Sequence, residues 1–116
     1  MRHLESNIQR SCVKYFRYAY PEISKLLFAV PNGGSRNRIE ASILKGEGVV
    51  AGVADMILLI SKGSFSSLCI EFKSDKGRQT DLQREWQIAA ETFGNKYIIC
   101  RTFDEFREAI DNYIDL

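Results

Sequence analysis

Two strand-like segments of this sequence carry charged side chains where a buried strand would be apolar. Asp55 stands at the start of the apolar run Met56–Ile60, and Glu71 and Lys73 alternate with apolar residues in the next such run. Because successive side chains of a strand point to opposite faces, Glu71 and Lys73 share one face. Charged groups at such positions lose hydration, so they are usually either paired or bound to a metal ion.

The two runs are separated by a short polar loop at 61–66, and this pattern predicts an antiparallel hairpin. In a hairpin, Asp55 at the start of one strand comes level with Glu71 near the end of the other. Two converging carboxylates repel each other unless a cation lies between them, and Mg²⁺ or Mn²⁺ prefers such oxygen ligands. Lys73 can then orient and deprotonate a metal-activated water, or stabilise charge on a phosphate. The set indicates phosphodiester hydrolysis, although a Glu-x-Lys pair taken alone is more often the solvated face of an edge strand.

Helical and strand-like patterns alternate along the chain. Helices are predicted over residues 3–20, 35–46, 80–93 and from 102 onwards, and strands over 26–30, 55–60, 67–73 and 97–100. Thr80-x-x-Gln83 and Thr102-x-x-Glu105 have the form of capping boxes, which begin helices. The strand–helix–strand unit over 67–100 predicts a right-handed crossover between parallel strands. We expect an α/β fold in a single domain, 1–116, with one mixed four-stranded sheet flanked by helices.

The charge of the chain is nearly balanced but unevenly distributed. Sixteen basic and fifteen acidic residues among 116 give a formal charge of +1, which excludes a strongly basic nucleic-acid-binding chain and an acidic tail. Residues 1–50 carry eight basic and four acidic side chains, and the remainder carries eight basic and eleven acidic ones. This division permits one positive face on a nearly neutral molecule.

Cysteine usage and hydropathy suggest where the chain resides. Cys12, Cys69 and Cys100 are odd in number, widely spaced and placed within apolar runs, so we expect buried thiols rather than disulfides or a zinc site. No window of the sequence reaches the roughly 18 apolar residues of a membrane span. We expect a cytoplasmic chain with no membrane partner.

Five motifs resemble the virus-type replication-repair nuclease (VRR-NUC) domain, a branch of the PD-(D/E)XK nuclease superfamily. They occur in that family's order and approximate spacing, and they are Pro31-Asn32-Gly33-Gly34-x-Arg36, Gly48-x-x-x-Gly52-Val53-x-Asp55, Ile70-Glu71-Phe72-Lys73, Lys76-Gly77-Arg78 and Gln83-x-x-Trp86. The resemblance extends from about Glu5 to the last helix. It implies a restriction-endonuclease-like core. Ala54 stands where the superfamily has a proline before the aspartate, a change that leaves the chemistry intact.

The resemblance also implies roles for individual residues. Asp55 and Glu71 correspond to metal-binding carboxylates and Lys73 to the catalytic lysine. Phe72 resembles the position whose backbone carbonyl often completes the metal shell. Gln83 resembles the family's glutamine on the helix after the Glu-x-Lys strand. Glu5 is similar to a glutamate on the first helix that joins the metal site in several branches of the superfamily.

Purely structural roles are also open for Gln83, Glu5 and the glycines before Asp55. Gln83 is the last residue of a capping box, so it can serve the helix start, the site or both. Glu5 can pair with a basic side chain on the helix surface. The glycines at 46, 48 and 52 are expected to let the backbone turn tightly before Asp55.

The basic residues in or beside the loops that flank the site are candidate phosphate contacts. They would give salt-sensitive, sequence-independent affinity, and they are Arg36, Arg38, Lys45, Lys76 and Arg78. Each of them is also explained as a solvated surface charge.

The expected function is Mg²⁺- or Mn²⁺-dependent cleavage of branched DNA. Short stand-alone members of the family resemble homodimeric Holliday-junction resolvases, which implies two sites on symmetry-related strands and an origin in a phage or mobile element. One alternative is a monomeric flap or nicking nuclease. The other is a DNA-binding module without catalysis, against which the carboxylate pair argues because it repels phosphate.

Overall fold

The computed structural model describes residues 2–31 and 37–116, and its elements follow the predicted alternation. The helices are α1 (Arg2–Ala19), α2 (Arg38–Gly46), α3 (Asp81–Thr92) and α4 (Phe103–Ile114). The strands are β1 (Leu27–Ala29), β2 (Met56–Leu58), β3 (Leu68–Phe72) and β4 (Lys96–Cys100). Most of the motif at 31–36, Arg36 included, lies outside the described residues.

The strands form one mixed sheet in the order β1-β2-β3-β4. β1 and β2 are antiparallel, as are β2 and β3, and the register of the second pair places Met56 opposite Ile70. β3 and β4 are parallel and are connected through α3. The predicted hairpin, the predicted parallel pair and the predicted mixed four-stranded sheet are therefore confirmed.

Helices cover both faces of the sheet. On one face, α1 and α4 bury Phe16, Phe106 and Ile110 against alternate strand residues such as Ile70 and Phe72. On the other face, a smaller cluster of Ala54, Cys69 and Tyr97 packs with Trp86 of α3. Alternation along β3 places Glu71 on the same face as Cys69, the face that α3 covers.

Two expectations from composition can be compared with the structure. All three cysteines are free and buried, as predicted. Their burial raises the pKa of the Cys12 and Cys100 thiols to about 12, so both are protonated. Among the described residues, no helix is both long and apolar enough to cross a membrane.

The strand boundaries differ from the predicted ones. A 3₁₀ helix, Pro21–Leu26, lies between α1 and β1, with Pro21 fixing the first turn as proline does at a helix start. The sequence pattern assigned Leu26 to a strand instead. Asp55 precedes β2 rather than beginning it, but its backbone carbonyl still accepts a hydrogen bond of 2.8 Å from the Val30 amide. Asp55 therefore lies at the end of the sheet where β2 begins.

The two predicted capping boxes have different outcomes. At α3, Thr80 Oγ1 accepts from the Gln83 amide at 3.1 Å and Gln83 Oε1 accepts from the Thr80 amide at 2.9 Å, so the box is complete. At α4, Thr102 Oγ1 accepts from the Glu105 amide, but the Glu105 carboxylate accepts from the Arg101 amide at 2.7 Å. The predicted bond from the Thr102 amide to Glu105 is therefore wrong, because the Glu105 carboxylate instead accepts from Arg101, the residue before Thr102.

A carboxylate on α4 fixes the position of α1. Asp111 accepts hydrogen bonds from the Tyr15 hydroxyl at 2.8 and 2.9 Å and from the Tyr20 hydroxyl at 2.6 Å. Desolvation and these bonds raise the pKa of both tyrosines, so the hydroxyls remain donors. The interaction joins residues that are more than 90 positions apart in the chain. It holds the C-terminal part of α1 against α4.

Gly52 permits a close approach between the chain before β2 and the start of α3. Its φ is +90°, in the left-handed region that disfavours side chains, and a Cβ there would lie 2.5 Å from the backbone oxygen of Leu82. Besides its predicted role in a tight turn before Asp55, Gly52 therefore allows the start of α3 to pack against this segment. Gly46 instead lies at the end of α2, where a Cβ would have nothing within 4 Å of it.

Replacing Gly52 by alanine should destabilise the fold. The left-handed conformation and the clash with Leu82 together should lower the free energy of unfolding by at least about 2 kcal/mol. Gly46→Ala is the matched control, since it adds the same methyl group in open space and should change stability by less than about 1 kcal/mol. Urea denaturation measures both variants, and equal midpoints for the two would contradict the packing role of Gly52.

Candidate active site

Asp55 and Glu71 meet where β2 begins and β3 ends. The Phe72 amide donates a hydrogen bond of 2.7 Å to Asp55 Oδ2, so the backbone of β3 holds the Asp55 carboxylate in place. The amide of Lys73 donates to Cys100 on the β4 side, which means that the Phe72 amide points to the opposite side, towards β2. The N–H and C=O of one strand residue point to the same edge, so the Phe72 carbonyl also faces the Asp55 side.

Glu71 is the buried centre of this group. Its side chain is 2% exposed, and Glu71 Oε2 accepts a hydrogen bond of 2.9 Å from Gln83 Nε2. Lys73 Nζ lies 3.6 Å from the same oxygen, and its side chain is 11% exposed. Glu71 Oε1 is buried with no hydrogen-bond partner among the described residues. A buried carboxylate oxygen without a partner is unusual and indicates a place for a ligand or ion.

The electrostatics of the pair favour the addition of a positive charge. Burial, and next the charge of Asp55, raise the pKa of Glu71 to about 8, although the Lys73 ammonium opposes the shift. Burial also raises the pKa of Asp55, against the effect of the Phe72 amide and Lys73. Without a further cation the site therefore takes up a proton that a divalent ion would replace.

Gln83 acts on both the helix and the carboxylate. Its Oε1 accepts from the Thr80 amide in the capping box, which leaves its Nε2 group to donate to Glu71. Because a carboxylate only accepts hydrogen bonds, this assignment of the two amide atoms satisfies both contacts at once. One side chain thus makes both the capping contact and the contact with Glu71.

Glu5 faces the same region from α1. Its Oε2 accepts a hydrogen bond of 3.0 Å from the Ser74 amide, and it lines a groove together with Asp55 and Phe72. Its negative charge contributes to the raised pKa of Asp55. Within 2–31 and 37–116, no three acidic, histidine or cysteine side chains form a ready-made metal cluster. Glu5 therefore lies at the rim of the carboxylate pair, bound to the loop after β3.

The donors at this point suit a hard divalent cation. Two carboxylates and a backbone carbonyl are the oxygen ligands that Mg²⁺ and Mn²⁺ prefer. Glu71 Oε1 has no partner among the described residues, and the raised pKa of both carboxyls indicates that the pair is stabilised by added positive charge. Asp55, Glu71 and the Phe72 carbonyl therefore fit such an ion.

The predicted phosphate contacts lie on two different parts of the molecule. Lys76 and Arg78 are exposed in the loop that follows β3, and Arg38 and Lys45 are exposed on α2. Arg36 is outside the described residues. The structure shows exposure for the four described residues but no contact that joins any of them to Asp55 or Glu71.

Two groups of functional interest were missed from the sequence. Arg101 Nη1 donates to the carbonyls of Ser74 and Gly77, at 2.7 Å each, and so holds the loop that carries the Glu5 contact. Basic residues of α1 also line the groove of about 540 Å³ that contains Asp55, and they are Arg10, Lys14 and Arg17. Their helical spacing, three and four residues apart, was visible in the sequence, but their position beside Asp55 depends on the tertiary packing of α1.

Comparison with known proteins identifies the fold. No protein-family model matches the chain, and no curated protein matches it. A solved structure described as a VRR_NUC domain protein matches it with a TM-score of 0.84 and 23% identity, over 97% of this chain and 88% of that one. The chain therefore has the fold of a VRR-NUC domain, with the restriction-endonuclease-like arrangement that its motifs predicted.

Removing Gln83 should impair the site more than it weakens the helix. Thr80→Ala and Gln83→Ala each break the capping box and should each cost about 1 kcal/mol of stability. Gln83→Ala also removes the donor to Glu71, so it should reduce cation affinity or metal-dependent activity at least about tenfold beyond Thr80→Ala. Urea denaturation and metal titration separate the effects. Equal metal affinities in the two variants would show that Gln83 serves the helix alone.

Stability without metal should fall as pH rises through neutrality. The folded-state pKa of Glu71 lies near 8, above its ordinary 4.5, so between these values the folded chain holds a proton that the unfolded chain releases. The free energy of unfolding therefore declines across that window, and Mg²⁺ or Mn²⁺ should restore more stability at its alkaline end. Thermal melts with and without the ion test this. Glu71→Gln is the control, which should flatten both dependences, and an unchanged wild-type profile would contradict the assignment.

Proposed function

We propose that this chain is a metal-dependent DNA endonuclease that hydrolyses phosphodiester bonds. The observation that carries the proposal is the buried Glu71 carboxylate, which has one unpartnered oxygen beside Asp55 and a nearly buried lysine 3.6 Å from its other oxygen. A carboxylate pair with an adjacent ammonium suits an ion, a water and a phosphate better than it suits a structural core.

The fold likeness adds independent support. The matching solved structure is described as a VRR_NUC domain protein, and the resemblance of the motifs to that family was drawn from the sequence alone. The motif Glu71-Phe72-Lys73 lies at the end of β3, where the carboxylate pair is found. A nuclease is therefore the function class that best suits both.

The residues of the site have distinct roles in the proposed reaction. A divalent cation, when bound by Asp55, Glu71 and the Phe72 carbonyl, supplies Lewis-acid polarisation of the phosphodiester and lowers the pKa of a water. Lys73 orients or deprotonates the attacking water, or stabilises the charge that develops on the phosphate. Gln83 and the Phe72 amide hold the two carboxylates in place.

We further propose branched DNA as the substrate and a homodimer as the active form. Cleavage of the two symmetry-related strands of a four-way junction requires two sites related by a two-fold axis. Exposed apolar residues on α2 support self-association, because Ile39 and Ile43 are 73% and 54% exposed and lie one turn apart. A Holliday-junction resolvase is the specific activity that this arrangement would serve.

Cleavage of a synthetic four-way junction with Mg²⁺ or Mn²⁺ tests the proposal. Asp55→Asn and Lys73→Met should each lower the cleavage rate at least about 100-fold, since both act on the reacting groups. Lys25→Met is the matched control, because it removes an exposed lysine of the 3₁₀ helix and should cut at the wild-type rate.

The outcomes discriminate among the candidate functions. Paired incision by a dimer supports the resolvase, whereas cutting of flaps by a monomer supports a flap or nicking nuclease. Binding of DNA without cleavage in any divalent metal indicates a binding module. Wild-type cleavage by Lys73→Met would remove the proposed role of that lysine.

A further inference from the structure

The groove that contains Asp55 continues along one flank of α1, where it is lined by cations. Glu5, Asp55 and Phe72 form its acidic end, and Arg10, Lys14 and Arg17 line it farther along the helix. At about 100° per residue, these three basic residues lie within an arc of about 60°. We call them the α1 basic row. Asp55 and the basic row thus line one concavity, whereas Glu71 and Lys73 are not among its described lining residues.

The charges of the row are available to a ligand. Arg10, Lys14 and Arg17 are exposed. The ion pairs found among the described residues are Lys73 with Glu71 and Arg107 with Asp104, so none of the row is paired with a described carboxylate. Glu5 is the one acidic residue in the sequence of α1, and it is bound to the Ser74 amide. The row therefore presents uncompensated positive charge to the groove.

We propose that the α1 basic row binds the phosphate backbone of the nucleic-acid strand that enters the site. Seven residues of helix span about 10 Å at a rise of 1.5 Å. Each of the three exposed cations can neutralise one phosphate of a strand that passes along the helix. This inference rests on the proposed function, which it deepens by placing the strand beside α1.

The placement explains two features of the molecule. The row lies in the half of the chain that has a basic excess, so a nearly neutral protein still offers a positive path to its site. The row also lies on a helix that Asp111 holds through Tyr15 and Tyr20, so its distance from Asp55 is fixed by packing. Contacts of this kind set register and affinity without reading sequence.

Binding without metal tests the inference separately from catalysis. The triple variant Arg10→Ala/Lys14→Ala/Arg17→Ala is compared with Lys25→Ala/Lys62→Ala/Arg107→Ala, which removes three charges outside the groove. The probe is a short fluorescein-labelled DNA duplex in EDTA, followed by fluorescence anisotropy at increasing salt. Three lost phosphate contacts should reduce the slope of log affinity against log salt by about 2.7. Between about 50 and 200 mM salt, the row variant should then lose about 40-fold less affinity than wild type, and the control should behave as wild type.

The results separate this inference from the proposed function. Equal salt slopes for the two triple variants would overturn the role of the row, whether or not the wild type cleaves DNA. A reduced slope for the row variant alone would support it, even if the wild type cleaved no substrate. Junction cleavage by wild type together with unchanged binding by the row variant would leave the nuclease proposal intact and this inference refuted.

Discussion

The burial of the Glu71 carboxylate is the constraint on which the arrangement of the site depends. A charge removed from water needs compensation, and here an amide and an ammonium supply part of it. Gln83 donates a hydrogen bond to Glu71 Oε2 and Lys73 pairs with the same oxygen, which leaves Glu71 Oε1 without a partner among the described residues. The fold is therefore built around a carboxylate that its own side chains satisfy only in part.

Long-range contacts bring the supporting residues to that carboxylate. α3 approaches the chain before β2 closely because Gly52 has no side chain, and this approach brings Gln83 to Glu71. Arg101, at the end of β4, holds the loop after Lys73 through two carbonyls, and Glu5 binds the same loop from α1. Each contact joins a different element to the end of β3. Strain in any of them would be transmitted to the position of Glu71 or Lys73.

The parts of this structure that local chemistry determines could be predicted from the sequence. Alternation placed Glu71 and Lys73 on one face, and the Thr80 capping box marked the start of α3. The resemblance of five motifs indicated the fold. The 3₁₀ helix at Pro21–Leu26 was missed because six residues of mixed polarity are too few to show a helical period, and its last residue, Leu26, begins the apolar block assigned to a strand. Other features depend on contacts that no local pattern records. Glu105 caps Arg101 instead of completing a box, since a side chain at that position can reach either amide.

The segregation of charge along the groove links binding to metal. On the proposed function, a phosphate strand is attracted by the α1 basic row but repelled by Asp55 and Glu71, which carry negative charge once their protons are lost. A divalent cation, if bound at the carboxylates, would remove the repulsion at that end and would not weaken the attraction along α1. On this proposal a strand would dock on the helix without metal, whereas a phosphate would be held at the acidic end only when the ion is bound. The formal charge of +1 for the whole chain thus conceals two regions of opposite charge, whose balance a bound cation would change locally.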